Sequence, residues 1–380
     1  MTEYPHRQPG IFLVTSQTLP KSGLKKNPWT ELSKLISSKS IQINFGIDSS
    51  SFNVSGACDR KNLPFGLQLM VAYISDPGFE ERALFETREA LKSVYEDRRK
   101  SPMSVIDDQY QKFIMGNDII AGLPEEQSVF SVQMDDIKKL LLPVFQNEAM
   151  ELTIIGDFDL ETTIQNIQDT FGALPLRSPS QNNTLQAGIV TFPSETVEKS
   201  FFFTGDEKRT VSILTFLTDD ENNVQDDRTL IILGEIIGDR LRDKIRKTEG
   251  KVYSPLVNNN ATTFKNFGLF EIMFSSHPDS TYDIKNETLA IIEDLKTTPI
   301  SAEELERTRL PILNMFCDKL AQNGFWLNYI MYANRQPQYL EKLRTIRSFC
   351  ENVSPQMLLE TAKKYFNNPI HITVSRQPSP

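Results

Sequence analysis

The segment from Asp239 to Pro255 contains Arg246 and Tyr253, the two side chains in this sequence that are best suited to bind a substrate. Apolar residues recur every three or four positions ahead of Arg246, so this stretch is predicted to end an amphipathic helix. Gly250 can adopt a positive φ and stop that helix, and Tyr253 follows on a predicted strand. A guanidinium carries five donors and a phenol can donate to a carbonyl, so the pair could hold a peptide backbone. The alternative is a solvated arginine beside a half-buried tyrosine.

The histidines and cysteines do not predict a metal site or a complete catalytic centre. Zinc hydrolysis needs His and carboxylate ligands with a base near the bound water. No histidine lies in a His-x-x-Glu-His motif or its reverse, and the three are His6, His277 and His371. The three cysteines are far apart and odd in number, which excludes a fully paired disulfide framework. No G-x-S-x-G nucleophile, P-loop or dinucleotide glycine fingerprint occurs either.

Length and composition describe a soluble globular chain of two domains. Its 380 residues exceed one ordinary core, and 39% of them are hydrophobic and 24% charged. A net charge of −9 disfavours nucleic acid as a partner. No apolar run approaches the ~20 residues of a transmembrane helix. The N-terminus lacks the features of a secretory signal, so the compartment stays open: cytoplasmic or, with an upstream leader, extracytoplasmic or periplasmic.

Chain order predicts a first domain over residues 29–176 and a second over residues 188–380. The short apolar run at Ile11–Val14 predicts a tail or edge strand within residues 1–28. The first domain has a strand hairpin around residues 41–56, several helices and a strand at Glu151–Ile155. Residues 177–187 are rich in Ser, Pro and Asn and form the predicted linker. In the second domain, predicted strands surround the Arg246 helix, and the chain finishes on a strand at Ile370–Val374.

The two predicted domains contain similar elements in the same order, as expected for an internal duplication. A Phe-Glu-Glu helix start at residues 79–81 parallels Ala-Glu-Glu at residues 302–304. Residues 132–155 and residues 353–374 both contain a helix that ends in Phe, then an Asn and then a strand. The difference in residue number between the copies is nearly the same for both pairs of segments. The second copy has three predicted strands and a helix ahead of its Gly268 strand. The first copy starts almost directly at the helix from Thr30, so the first domain is predicted to lack its opening strands.

Three segments resemble the insulinase/pitrilysin family of zinc peptidases, which includes the mitochondrial processing peptidases. Residues 246–254 are similar to the Arg…Gly…Tyr-Ser segment of the family's non-zinc domain. Residues 151–159 resemble the strand and Gly-Asp-Phe turn that close a family domain, and residues 76–81 resemble its Asp-Pro-x-Phe helix start. The duplication also fits, and the resemblance covers about residues 29–375.

The resemblance implies an α+β fold of two homologous α/β sandwich domains, each an antiparallel-rich sheet packed by helices. In the family one half carries a zinc motif, His-x-x-Glu-His with a distant Glu, and the other half lends an Arg and a Tyr. Arg246 and Tyr253 would then bind substrate or assist the transition state. Zinc would belong to a catalytic half that is not in this chain, because the motif is absent here.

Three hypotheses follow. The chain is the C-terminal, non-zinc half of a zinc metalloendopeptidase; or it is a natural non-catalytic subunit or scaffold that binds peptides or a catalytic homologue. In the third, the fold serves an unrelated binding role and Arg246 and Tyr253 are structural. The hypothesis of a non-zinc peptidase half predicts no activity and no cofactor for this chain alone. Its predicted partners are a peptide substrate and a homologous catalytic half or subunit.

Overall fold

The computed structural model describes residues 10–47, 51–115, 121–177, 192, 195–246, 252–262, 264–333, 336 and 338–377. The chain folds into two compact units that are not continuous in sequence. Unit 1 comprises residues 1–96 and 119–186, and unit 2 comprises residues 97–118 and 187–380. The domain boundaries given above from the sequence stay a prediction. The predicted α+β class is confirmed, since both units combine helices with antiparallel strand pairs.

The described helices, in chain order, are α1 (Ile11–Thr18), α2 (Trp29–Ser38), α3 (Leu63–Ser75), α4 (Glu81–Asp97), α5 (Pro102–Val105), α6 (Gln111–Ile114), α7 (Glu126–Phe130), α8 (Met134–Asn147), α9 (Leu160–Asp169), α10 (Val224–Arg246), α11 (Thr281–Thr297), α12 (Ala302–Lys319), α13 (Asn323–Ala333), α14 (Gln338–Asn352) and α15 (Pro355–Tyr365). The described strands are β1 (Gln42–Ile47), β2 (Phe52–Ala57), β3 (Val197–Phe203), β4 (Thr210–Thr218), β5 (Val252–Ala261), β6 (Gly268–Ser276) and β7 (Ile370–Arg376).

Unit 1 is a helical unit around the β1–β2 hairpin. The two strands are antiparallel, from Ile47 opposite Phe52 to Gln42 opposite Ala57. Phe45 joins a core with Leu84 and Phe145. A second cluster holds apolar residues of α2, α3 and the β1 end of the hairpin.

The short apolar run at residues 11–14 forms the start of α1, so the edge-strand alternative predicted for this run is wrong. Ile11, Val14, Thr15 and Thr18 are all buried. Their spacing of three, four and seven positions is that of one helix face. A run of four apolar residues is too short to separate helix from strand by periodicity.

Residues 151–155, predicted as a strand, are not part of any strand of the described structure. Their counterpart in the duplicated order is β7 of unit 2, which is paired on both sides, with β3 and with β4. The prediction that the first domain lacks its opening strands stays a prediction.

Unit 2 is built on a five-stranded sheet in the order β3-β7-β4-β6-β5. Only the β3–β7 pair is parallel. One face packs on α10, α11 and α15 through a core that includes Leu214, Phe270 and Phe366. The other face is covered by residues 105–115, whose Val105, Tyr110 and Ile114 join a buried cluster with that sheet. A segment from the first third of the chain therefore completes the second unit.

No helix in the described ranges is both long enough and apolar enough to cross a membrane.

Candidate functional site

The site predicted from the sequence lies where α10 leads into β5. Two aspartates, Asp226 and Asp227, stand in the first turn of α10, where the helix dipole favours negative charge. Its apolar face is fully buried against the sheet and α15, and comprises Leu230, Leu233, Ile237 and Leu241. This face is the stripe predicted from the periodicity, and it fixes the helix on which Arg246 is the last residue.

The structure places the backbone of both predicted residues but not their side chains. Arg246 ends α10, and Tyr253 is the second residue of β5, opposite Ser275 of β6. Residues 247–251, with Gly250 among them, lie outside the described residues, as do the side chains of Arg246 and Tyr253. Their role in holding substrate therefore stays a prediction.

A β-bulge directly follows Tyr253. In the β5–β6 ladder Tyr253 is opposite Ser275 and Leu256 is opposite Met273, so β5 has one extra residue between these pairs. Pro255 lies inside this interval and has no N–H to donate to the ladder, which explains why the pairing breaks here. A bulge bends the strand and re-aims the neighbouring side chains. The bulge therefore separates the backbone of residue 253 from the regular part of the β5–β6 ladder.

Hydrogen bonds hold the far end of β5 in place. Asn259 Nδ2 donates to Asp227 Oδ1 at 2.7 Å, which ties the strand to the start of α10. Burial raises the pKa of Asp227, and the bond from Asn259 opposes that rise. Asn260 Nδ2 donates to Glu271 Oε2 of β6 at 2.7 Å. β5 is thus anchored at its C-terminal end, while its outer edge pairs with no other strand in the described sheet.

Glu271 belongs to a buried polar cluster that the sequence did not reveal. The Tyr110 hydroxyl donates to Glu271 and lies 2.7 Å from Thr215 Oγ1. Burial raises the pKa of Glu271, and burial together with Glu271 raises the pKa of Tyr110. The available signal was a single carboxylate among apolar residues of β6. Its partner Tyr110 is more than 150 positions away and had no sequence signal.

A second cluster brings together a buried serine, a buried histidine and an exposed glutamate. Ser212 Oγ lies 2.7 Å from His371 Nε2, and Glu198 Oε1 lies 4.0 Å from His371 Nδ1. Lys285 donates to Glu198. Burial and then the nearby Lys285 lower the pKa of His371 to about 4, so the imidazole is neutral at physiological pH. Ser212 is 0% exposed, so a substrate cannot reach its hydroxyl. The contact between Ser212 and His371 therefore links strands β4 and β7.

The zinc ion that the family resemblance implies does not fit the residues described here. No group of three or more His, Cys, Asp or Glu residues suited to a metal ion is present in the described ranges. His371 is engaged by Ser212, and His277 caps a short turn by accepting from the Asp279 N–H. His6 lies outside the described residues. No metal site is therefore assigned among the residues described.

Comparisons with known proteins add the family context. Residues 131–311 match the model of the Peptidase M16 inactive domain. The chloroplast stromal processing peptidase of Arabidopsis thaliana is 22% identical over 271 residues, 59% of this chain and 21% of that protein. The non-peptidase homolog YmxG of Helicobacter pylori is 18% identical over 297 residues, 75% of this chain and 66% of that protein.

Solved structures share the fold. The ferredoxin protease FusC, in complex with Arabidopsis ferredoxin, matches with a TM-score of 0.77 at 13% identity and covers 98% of this chain. The chain spans 42% of that FusC chain and about a fifth of the plant peptidases.

The fold is the α+β fold of these solved structures, and residues 131–311 match one inactive domain of the M16 peptidases. The resemblance predicted from the sequence is confirmed, because residues 131–311 match the inactive domain of the insulinase-type (M16) peptidases.

Proposed function

We propose that this chain is the C-terminal, non-zinc half of an insulinase-type zinc metalloendopeptidase, and that it holds a peptide for a catalytic half carried elsewhere. The observation that carries the proposal is the α10–β5 connection inside the matched inactive domain. It sets an arginine at the end of a buried helix and a tyrosine ahead of a bulge, in the order found in the family.

In this proposal Arg246 and Tyr253 donate hydrogen bonds to the backbone carbonyls of a bound peptide. β5 is the last strand of the described sheet, so an extended peptide can add to its outer edge through main-chain hydrogen bonds. Such a peptide would lie beside the Tyr253 position. This mode suits extended polypeptides of varied sequence, because the bonds go to the backbone.

The relatives support a polypeptide substrate. One relative is named a stromal processing peptidase, and the FusC structure contains ferredoxin. The net charge of −9 favours basic over acidic peptides, since charge of one sign attracts the other over the surface.

The test is turnover after this chain is combined with a catalytic half of the family. Tyr253→Phe removes one hydroxyl donor, and we expect turnover to fall by about 10²-fold, the usual effect of losing one transition-state donor. Tyr282→Phe is the matched control, because Tyr282 is 68% exposed on α11, and it should leave turnover unchanged. Both variants should unfold at the wild-type temperature. Full turnover in Tyr253→Phe would show that this side chain is structural.

A second function is favoured by the match to YmxG, which is named a non-peptidase homolog. In that case the chain is a non-catalytic subunit or scaffold that binds peptides or a catalytic homologue. Mixing this chain with a catalytic half distinguishes the two functions. A peptidase half should increase the rate of peptide hydrolysis, whereas a scaffold should bind the catalytic half without increasing that rate. Stoichiometric zinc and hydrolysis in this chain alone would refute both.

A further inference from the structure

The last turns of α10, from Leu241 to Arg246, have mostly polar side chains among those described. Leu241 is the last residue of the buried stripe whose side chain is described. Asp243 and Lys244, which follow it, are exposed. The position of this helix end therefore depends on polar contacts as well as on the apolar stripe.

Arg240 links α10 to two neighbouring helices. Its Nε and Nη2 atoms donate to the two carboxylate oxygens of Glu304 on α12, at 2.8 Å and 2.9 Å. Its Nη1 atom donates to Asp294 Oδ2 on α11 at 2.7 Å. The Arg240 and Glu304 side chains are 23% and 17% exposed, so this ion pair is largely shielded from solvent. The bonds to Glu304 raise the pKa of Arg240, against the opposing effect of burial.

The two bonds between Arg240 and Glu304 fix an angle as well as a distance. A guanidinium presents its donors in a planar fork that matches a carboxylate, whereas a lysine ammonium is a single point charge. Glu304 lies in the first turn of α12, where its N–H donates to Ser301 Oγ at 3.1 Å. Leu305, the next residue, is buried in the core of unit 2. Arg240 thus connects the end of α10 to a fixed point on α12.

The neighbouring ion pairs of α10 do not provide the same connection. Lys244 Nζ lies 2.8 Å from Glu287 Oε2 of α11, but both side chains are more than half exposed, and solvent weakens such a pair. Arg242 pairs with Asp239 at 2.6 Å within α10 itself. Only the Arg240 pair joins this helix end to another helix through a shielded, two-bond contact among the residues described.

We propose that Arg240 is a positioning residue for the peptide-holding site, and that its fork to Glu304 sets the place of Arg246. The proposal rests on the proposed function, in which Arg246 donates to a bound peptide. The two arginines lie on one continuous helix, about 9 Å apart along its axis. Hydrogen bonds weaken steeply when donor distance and angle depart from their narrow ranges, so a helix end that is free to shift holds a peptide less well. Arg240 acts through Arg246 and not by its own contact with the peptide.

The experiment measures the binding of a fluorescein-labelled, unstructured, lysine-rich peptide to the whole chain by fluorescence anisotropy, with no catalytic half present. Arg246→Ala should weaken binding by about 10-fold, because it removes a charge-assisted hydrogen bond. Arg240→Lys keeps the charge but loses the planar fork, and it should weaken binding by about 5-fold. In the Arg246→Ala background, Arg240→Lys should cause no further loss, since the arginine that it positions is gone.

Glu304→Gln disrupts the same pair from the other side and should weaken binding as Arg240→Lys does, so it serves as the second variant if Arg240→Lys does not fold. The matched control is Arg242→Lys, the same substitution in a pair that lies within α10, and it should bind the peptide like the wild type. Circular dichroism at the assay temperature checks that each variant is folded.

The outcomes separate this proposal from the proposed function. Wild-type binding in both Arg240→Lys and Glu304→Gln, with weakened binding in Arg246→Ala, would overturn the positioning role and leave the proposed function standing. A loss of equal size with and without Arg246 would also overturn it, because it would show a general effect on structure. No binding by the wild type, or no effect of Arg246→Ala, would refute the role of Arg246 in the proposed function, and the positioning role with it.

Discussion

Replacing Tyr110 by Phe should destabilise unit 2 more at neutral pH than at acid pH. The hydroxyl is buried, donates to Glu271 and lies 2.7 Å from Thr215 Oγ1. The variant leaves Thr215 without this partner and leaves Glu271 with the bond from Asn260. At pH 7 a hydrogen bond to a carboxylate is lost, which costs about 2–3 kcal/mol; at pH 4 the carboxyl is protonated and the cost is about 1 kcal/mol.

The direction of the pH effect follows from the pKa of Glu271. Burial raises that pKa in the folded state above its unfolded value, and the Tyr110 bond opposes the rise. A raised folded pKa gives stability that is full below the unfolded pKa and falls as pH rises through the folded pKa. Without Tyr110 the pKa of Glu271 rises further, so the variant loses more stability between pH 4 and pH 7 than the wild type does.

Urea unfolding followed by tryptophan fluorescence measures this difference. The chain has two tryptophans, Trp29 in unit 1 and Trp326 in unit 2. A Trp29→Phe background leaves Trp326 as the reporter of unit 2. Tyr282→Phe again serves as the exposed control and should change stability by less than about 0.5 kcal/mol at either pH. A Tyr110→Phe effect that is equal at pH 4 and pH 7, or larger at pH 4, would refute the reasoning.

Two further predictions concern unit 2, measured in the same background. A Cβ at Gly205 would lie 2.0 Å from the Lys100 carbonyl oxygen, so Gly205→Ala should lower the free energy of unfolding by about 1–3 kcal/mol. Gly324→Ala is the control: no heavy atom lies within 4 Å of the added Cβ, so it should be neutral or stabilise by up to about 1 kcal/mol. Equal effects would contradict the packing of residues 97–118 on unit 2. The pKa of buried His371 is lowered to about 4, so the stability it contributes is full above pH 6.5 and is lost as pH falls through 4, a change of about 3 kcal/mol. His371→Asn should remove this acid-side slope, and an unchanged slope would assign it to other groups.

The parts of the fold that were predictable from the sequence are those set by local periodicity. The α10 stripe was visible because five apolar residues repeat along one face, Leu230, Leu233, Ile237, Leu241 and Ile245. The structure buries the first four, and the side chain of Ile245 lies outside the described residues. The strand at residues 370–374 was visible from its alternating pattern, and it lies inside the unit 2 sheet between β3 and β4. The helix at residues 11–18 was missed because its apolar run is too short for the period to show.

Long-range placement was not predictable from local pattern. Residues 102–115 have ordinary helical periodicity, and nothing in it tells which sheet they cover. The Tyr110–Glu271 bond and the Ser212–His371 bond join positions more than 150 residues apart, so neither partner marks the other in the sequence. The order of Arg246, Gly250 and Tyr253 was visible only as a family resemblance, because an arginine and a tyrosine seven positions apart are unremarkable by spacing.

The anchoring of α10 and β5 decides how a Tyr253 experiment should be interpreted. The helix is fixed by four buried apolar residues, and the strand is fixed at Asn259 and Asn260. The bulge at Pro255 separates Tyr253 from the rest of the β5 ladder. A phenol-to-phenyl change ahead of that bulge removes one hydroxyl and leaves every described anchor in place. A loss of turnover in Tyr253→Phe with unchanged unfolding would therefore report the lost hydrogen bond to substrate rather than a shifted strand.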